Sequence, residues 1–293
     1  MKTLHLTPLD SIQKTLDNHP GEHLTLILEP GIYYEKLYIT HNNLTIKGID
    51  LENTIISNGD YNYKFHEDGL LYNTFRTSTI DVIGTNVLFE NITIENSAGP
   101  AKKTIGQAIA LSVYGNDFKA VNCHLKGNQD TLFIGPLPTD LAERYFHILP
   151  LAMRHTNFVS SFFKNCSIYG NVDFIFGSGT AFFDNCDIHI INTENYAYIA
   201  APSTYESYEF GFVFNDCKII NHSMLKAYLA RPWREHGKTY FLNCSFEGEF
   251  YEERYQDWDK DSFSFQEFPY IESKLSKKLN QETIDKILKH LKP

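Results

Sequence analysis

The chain has 293 residues, 42% of them hydrophobic and 21% charged, with a formal net charge of −10. That much apolar material excludes wholesale disorder, and a negative balance excludes nucleic acid as the main partner, because a phosphate backbone is held by clustered cations. No apolar run approaches the roughly 18 residues needed to cross a membrane.

No secretory signal is visible behind Met1, so a cytoplasmic location with reduced thiols is expected. None of the five cysteines forms a CxxC pair. That points away from zinc and from a disulfide framework.

Taken in chain order, the first element is a helix start. In Thr7-Pro-Leu-Asp10, Thr7 suits the N-cap, Pro8 the first helical position and Asp10 the third. Ile12 and Leu16 continue its apolar face. Strand-like segments with alternating apolar residues follow. Asn42-Asn-Leu-Thr-Ile46 reads as an early copy of a pattern that Leu88-Phe-Glu-Asn-Ile-Thr-Ile94 states fully.

The pattern returns in Lys119–Leu125, Phe162–Ile168, Phe182–Ile188, Phe212–Ile219 and Tyr240–Phe246. Each copy has an Asn or Asp, then a Cys, and usually a β-former two residues on. From Ile92, which holds the cysteine slot in its copy, the slots are 31, 43, 20, 31 and 27 residues apart. Those gaps fit one or two turns of a coil of roughly twenty residues carrying loops of variable length. Asn suits a corner because it tolerates left-handed backbone, and Cys is small enough to bury.

At the far end, Asn280-Gln-Glu-Thr283 starts a second helix, with Ile284, Ile287, Leu288 and Leu291 on one stripe. The expected fold is therefore all-β: a right-handed parallel β-helix, one solenoid over residues 1–293. Residues 1–20 form a helical cap, and residues 270–293 a tail and helix closing the other end. An antiparallel sandwich is the competing fold.

Four segments combine polar groups with strand-like flanks: Gln107-Ala-Ile-Ala-Leu111, Gln129-Asp-Thr-Leu132, Asp173-Phe-Ile-Phe-Gly177 and Leu229-Ala-Arg-Pro-Trp233. A coil can stack them on one face. An aspartate held by Arg stays ionised, its pKa pulled down, and can attack. An aspartate near a second carboxylate keeps a proton. Amide NH groups stabilise an oxyanion. Such a set equips ester hydrolysis through an acyl-enzyme. Spacing alone leaves Asp130 and Asp173 equally open to a reading as turn carboxylates, and Arg231 to a reading as half of a surface ion pair.

The four segments, in this order, resemble the signature of the pectin methylesterase (pectinesterase) family. The likeness extends to Gly31-Ile-Tyr-Tyr-Glu35, Asn91–Gly99, Tyr198-Ile-Ala-Ala-Pro202 and the aromatic pair Tyr255 and Trp258.

The resemblance implies that Asp173 is the nucleophile, attacking the methyl-ester carbonyl of galacturonate. Asp130 is the acid for departing methanol and then the base for water. Gln129 stabilises the oxyanion, and Arg231 orients Asp173. Gln107, Trp233, Phe176, Thr74, Phe133 and Tyr255 bind substrate. The implied partner is a methyl-esterified polygalacturonate or oligogalacturonide, with no metal, no cofactor, no nucleic acid and no membrane, acted on by a bacterial monomer. A cytoplasmic enzyme would meet short oligogalacturonides in particular.

The sequence departs from the pattern at Ala230, Phe133 and Tyr255. It departs most between Phe133 and Ser160, a stretch longer than usual that carries Pro136, Pro138, Arg144, Tyr145, His147, Arg154 and His155. That stretch reads either as a decorated loop or as a wall of the sugar groove whose cations meet carboxylates. The alternative functions are a lyase or glycosidase on the same solenoid, an esterase for another acyl group, or a carbohydrate-binding β-helix without activity.

Overall fold

The computed structural model describes residues 2–100, 104–193 and 196–291. Met1 and the last two residues of the expected tail lie outside these. Three parallel sheets run the length of the molecule, with eleven, seven and eight strands. Between Leu24 and Glu247 the chain visits them in a fixed order. Val87–Glu90 enters the eleven-stranded sheet, Thr93–Asn96 the eight-stranded and Leu111–Val113 the seven-stranded, before Phe118–Val121 returns to the first. The chain is a parallel β-helix, as expected. No described helix is long and apolar enough to cross a membrane.

The Asn-Cys corners work as their chemistry suggests. Asn91, Asn122, Asn165, Asn185, Asp216 and Asn243 all have φ between 50 and 57°. That is left-handed backbone, which Asn and Asp tolerate best after glycine. Neighbouring corners are linked: Asn122 Nδ2 donates to Asn91 Oδ1 at 2.7 Å, and Asn185 Nδ2 to Asn165 Oδ1 at 2.8 Å. The cysteine behind each corner turns inward, and its thiol donates to the carbonyl two residues back, as in Cys166 to Lys164 at 3.3 Å.

Every interval between these slots is one coil, because the strands concerned are adjacent in the sheet. The longer gaps are loops, not extra turns. Asn43 belongs elsewhere. It precedes its strand, Leu44–Gly48, and pairs with Asn86 at the opposite corner. The slot below Asn91 is taken by Gly48, whose carbonyl accepts from Asn91 Nδ2. Inside the coil, Phe163, Phe183, Phe214 and Phe241 stack with centroids 4.7–4.9 Å apart.

Both terminal helices depart from expectation. The first, α1, spans Ile12–Asp17 and is capped by Ser11, whose side chain accepts from Lys14 N. Thr7 is not the cap: its N–H and hydroxyl both donate to Asp10 Oδ2 at 2.8 Å and close a turn. The carboxylate of Glu35 completes the cap from a distant strand end, accepting from Ile12 N at 2.8 Å and Gln13 N at 3.0 Å. Buried Ile12 and Leu16 then cover the first coils.

The last helix, Gln281–His290, begins at Asn280 as expected. It does not close the far end of the solenoid. Ile284 and Ile287 pack on Phe182, Phe210, Val213, Tyr240 and Leu242, which project from the outer face of the eleven-stranded sheet. Leu288 is exposed and Leu291 half-buried.

Candidate active site

The site lies on the outer face of the seven-stranded sheet, where strands begin or end. Asp130 sits two residues before Leu132–Ile134, Asp173 is the second residue of Val172–Gly177, and Arg231 directly follows Ala227–Ala230. These three strands belong to different coils of one sheet, so residues 58 apart in sequence meet. Asp130 and Asp173 have φ of 64° and 49°. Left-handed backbone turns both carboxyls out of the pleat at a local cost of roughly 1–3 kcal/mol each. Gly177 closes the second segment at φ 127°, where a Cβ would strike the carbonyl oxygen of Ile134.

Arg231 clamps Asp173 through two parallel bonds, Nε to Oδ1 at 2.9 Å and Nη2 to Oδ2 at 2.6 Å. Its guanidinium is sandwiched between rings, 3.9 Å from the Tyr198 centroid and 3.8 Å from that of Trp258. Among the described residues Asp130 has no such clamp.

Burial, with the nearby charge of Asp173, pushes the Asp130 carboxyl well above the usual carboxylate range. Asp173 is also raised by burial, against the pull of Arg231. The expected downward shift of Asp173 is therefore corrected: desolvation outweighs the guanidinium. Asp173 is displaced less than Asp130, because Arg231 pulls against its burial.

These groups line one groove with a cavity of about 450 Å³. Gln107, Gln129 and Thr74 share its lining. Gln107 Oε1 accepts from Asn62 Nδ2 at 2.5 Å, and the same amide reaches Thr74 Oγ1 at 3.2 Å. Asn62 thus fixes two groove residues and leaves the NH₂ end of Gln107 for the groove. Phe176 and Trp233 make an aromatic side with ring centroids 5.6 Å apart, and Phe75 adds a third ring.

Two expected substrate contacts are corrected. Phe133 is fully buried beneath Phe75 and Phe176, at 5.2 and 5.1 Å, and supports the groove from below. Tyr255 faces the core, 1% exposed and stacked on Phe265. Trp258, three residues on, takes the place at the groove. Sequence reasoning passed over Asn62, Phe75 and Tyr198 as site residues. The tyrosine did carry a signal, since it opens the quoted Tyr198–Pro202 segment.

The pectinesterase family model matches residues 6–137 and 153–280. The chain belongs to the pectinesterase family. A probable pectinesterase/pectinesterase inhibitor of Arabidopsis thaliana is 30% identical over 277 residues, 86% of this chain and 41% of that protein. Pectinesterase 3 of Citrus sinensis is 32% identical over 245 residues, 79% of this chain and 36% of that protein. The chain thus spans less than half the length of these curated relatives. A crystal structure of a pectin methylesterase in complex with a hexasaccharide superposes with a TM-score of 0.75 at 26% identity, covering 94% of this chain and 90% of that one.

Against this pectinesterase frame, the unmatched residues 138–152 stand out. They contain α2, Thr139–Arg144, and the segment around it packs Leu137, Leu141, Leu149 and Met153 on Phe75, Tyr114 and Phe133. Leu141, Arg144 and Tyr145 reach the groove. The long stretch is a wall of the groove, while Arg154 and His155 do not line it.

Proposed function

We propose that this pectinesterase hydrolyses the C6 methyl esters of polygalacturonate or its oligomers and releases methanol. The observation that carries the reading is the asymmetry of the two aspartates. One is clamped bidentately by Arg231, while the other is buried, has no such clamp among the described residues, and has its carboxyl pushed well above the usual range by burial.

The Asp173 carboxylate attacks the ester carbonyl carbon. The carbonyl oxygen takes the electron pair and is held by the amides of Gln129 and Gln107. Collapse of this intermediate breaks the bond to the methoxy oxygen, which receives the proton of Asp130 and departs as methanol. An anhydride between Asp173 and the sugar acid remains. Asp130, now a carboxylate, takes a proton from water as its oxygen attacks the acyl carbon. Cleavage of the anhydride frees the galacturonate and restores Asp173. Trp233 offers a flat face to a sugar ring, backed by the buried Phe176 and Phe75.

A lyase or glycosidase would cut the chain instead. Methanol and reducing ends, measured together on methylated oligogalacturonides, separate these readings. Methanol without new reducing ends is expected, falling by at least about a thousandfold in Asp173→Asn. Full activity in that variant would remove Asp173 from the role of nucleophile.

A further inference from the structure

We infer that Arg144 reads a free carboxylate on a sugar neighbouring the ester under attack, which makes partly de-esterified chains the preferred substrate. This rests on the proposed hydrolysis of galacturonate methyl esters. Arg144 ends α2, inside the segment that the pectinesterase model leaves unmatched.

The groove lining holds three cations, Arg144, Arg231 and Arg234. Arg231 is spent on Asp173. Arg234 is spent on Asp140, donating from Nε at 3.3 Å and from Nη2 at 2.8 Å, while its Nη1 donates to the carbonyl of Trp233 at 3.0 Å. Arg144 stands 3.9 Å from the same Asp140 carboxylate, beyond hydrogen-bond reach, and its side chain is 62% exposed. Asp140 is thus shared by Arg144 and Arg234, and with Asp130 protonated the described residues of the groove keep one positive charge in excess, in a protein of net charge −10. A guanidinium presents a planar fork that fits a carboxylate and gains little from a neutral methyl ester.

The helix that carries that charge is anchored at the groove. The Asp140–Arg234 pair ties α2 to Arg231-Pro-Trp-Arg234, the segment that carries the clamp on Asp173. Tyr145 packs on Phe75, with centroids 5.9 Å apart. Arg144 therefore stands on the α2 wall and takes no part in the Arg231–Asp173 clamp, and the carboxylate it meets is assigned to a different sugar from the ester over Asp173.

The test compares two trigalacturonates, one fully methylated and one with a single free carboxyl beside an ester, in wild type, Arg144→Gln and Arg144→Lys. Wild type is expected to favour the charged trimer in kcat/KM by about three- to tenfold, through KM, as suits a half-exposed ion pair. Arg144→Gln should abolish the preference, Arg144→Lys should keep part of it, and added salt should erode it. Calorimetry with fully de-esterified trigalacturonate reads the same contact without turnover, and its Kd should rise by a similar factor in Arg144→Gln.

An unchanged substrate ratio with an unchanged Kd in Arg144→Gln overturns the inference. A wild type that releases no methanol from either trimer, yet binds the de-esterified one through Arg144, overturns the functional reading and leaves the carboxylate site standing.

Discussion

Asp130 and Asp173, for which opposite duties are proposed, have similar left-handed backbones, and both are held where a carboxylate is poorly solvated. Burial keeps their protons bound more tightly in the folded chain than in the unfolded one. Between the ordinary carboxylate range and these raised values the native state holds extra protons. Stability therefore falls as pH rises through that window. Asp130→Asn removes a buried acid without altering the corner, because Asn accepts the same left-handed φ. The variant should lose activity yet melt higher at neutral pH, by about 2–4 °C per kcal/mol relieved. The gain should vanish below about pH 4, where the unfolded acid is protonated too. Melting curves across pH check this, and a gain that persists in acid would place its origin outside the proton.

The residues that converge here were legible because three of the four short motifs hold their polar groups beside strand ends. The aromatic contacts were not. Tyr255 and Trp258 lie on an irregular segment anchored to the sheet by isolated bridges, from Phe250 to Ala227 and from Tyr255 to Ala230, with Arg254, Trp258 and Asp259 all at positive φ. No periodicity tells which of two rings three residues apart meets the core.

Among the elements, the coil corners were the most legible and the helices the least. A corner is local: one Asn in left-handed backbone, one small side chain behind it. The start of α1 is not local, since Glu35 reaches it from another strand and displaces the cap from Thr7 to Ser11. The corners can be tested singly. Asn165 has φ 52°, and its Oδ1 accepts from Asn185. Asn165→Ala loses both the tolerance and the bond, so a loss of about 1–2 kcal/mol is expected in urea unfolding. Asn165→Gly loses only the bond and should cost less, though its greater freedom when unfolded offsets part of the relief. Equal losses in the two variants would mean that backbone strain plays no part at this corner.

At the scale of the molecule, the three sheets separate catalysis from consolidation. The groove occupies the outer face of the seven-stranded sheet, while Gln281–His290 covers part of the eleven-stranded one. The stripe of Ile284 and Ile287 announced an amphipathic helix, but which surface it would cover depends on apolar residues facing outward. Phe182, Val213 and Tyr240 are such residues, interleaved with inward ones on the same strands, so their run reads as continuous core. Without the helix this patch would be open to other molecules, and exposed apolar patches drive association. Ile287 is fully buried there. Ile287→Asp places a charge in that contact and should release the helix. Light scattering should then report self-association, and a hydrophobic dye should bind. The remaining monomer should release methanol with a kcat within about twofold of wild type, because distant sites act independently. A monodisperse variant that binds no dye would show that the helix holds without Ile287. A matching fall in kcat would show that the two faces are coupled through the coil.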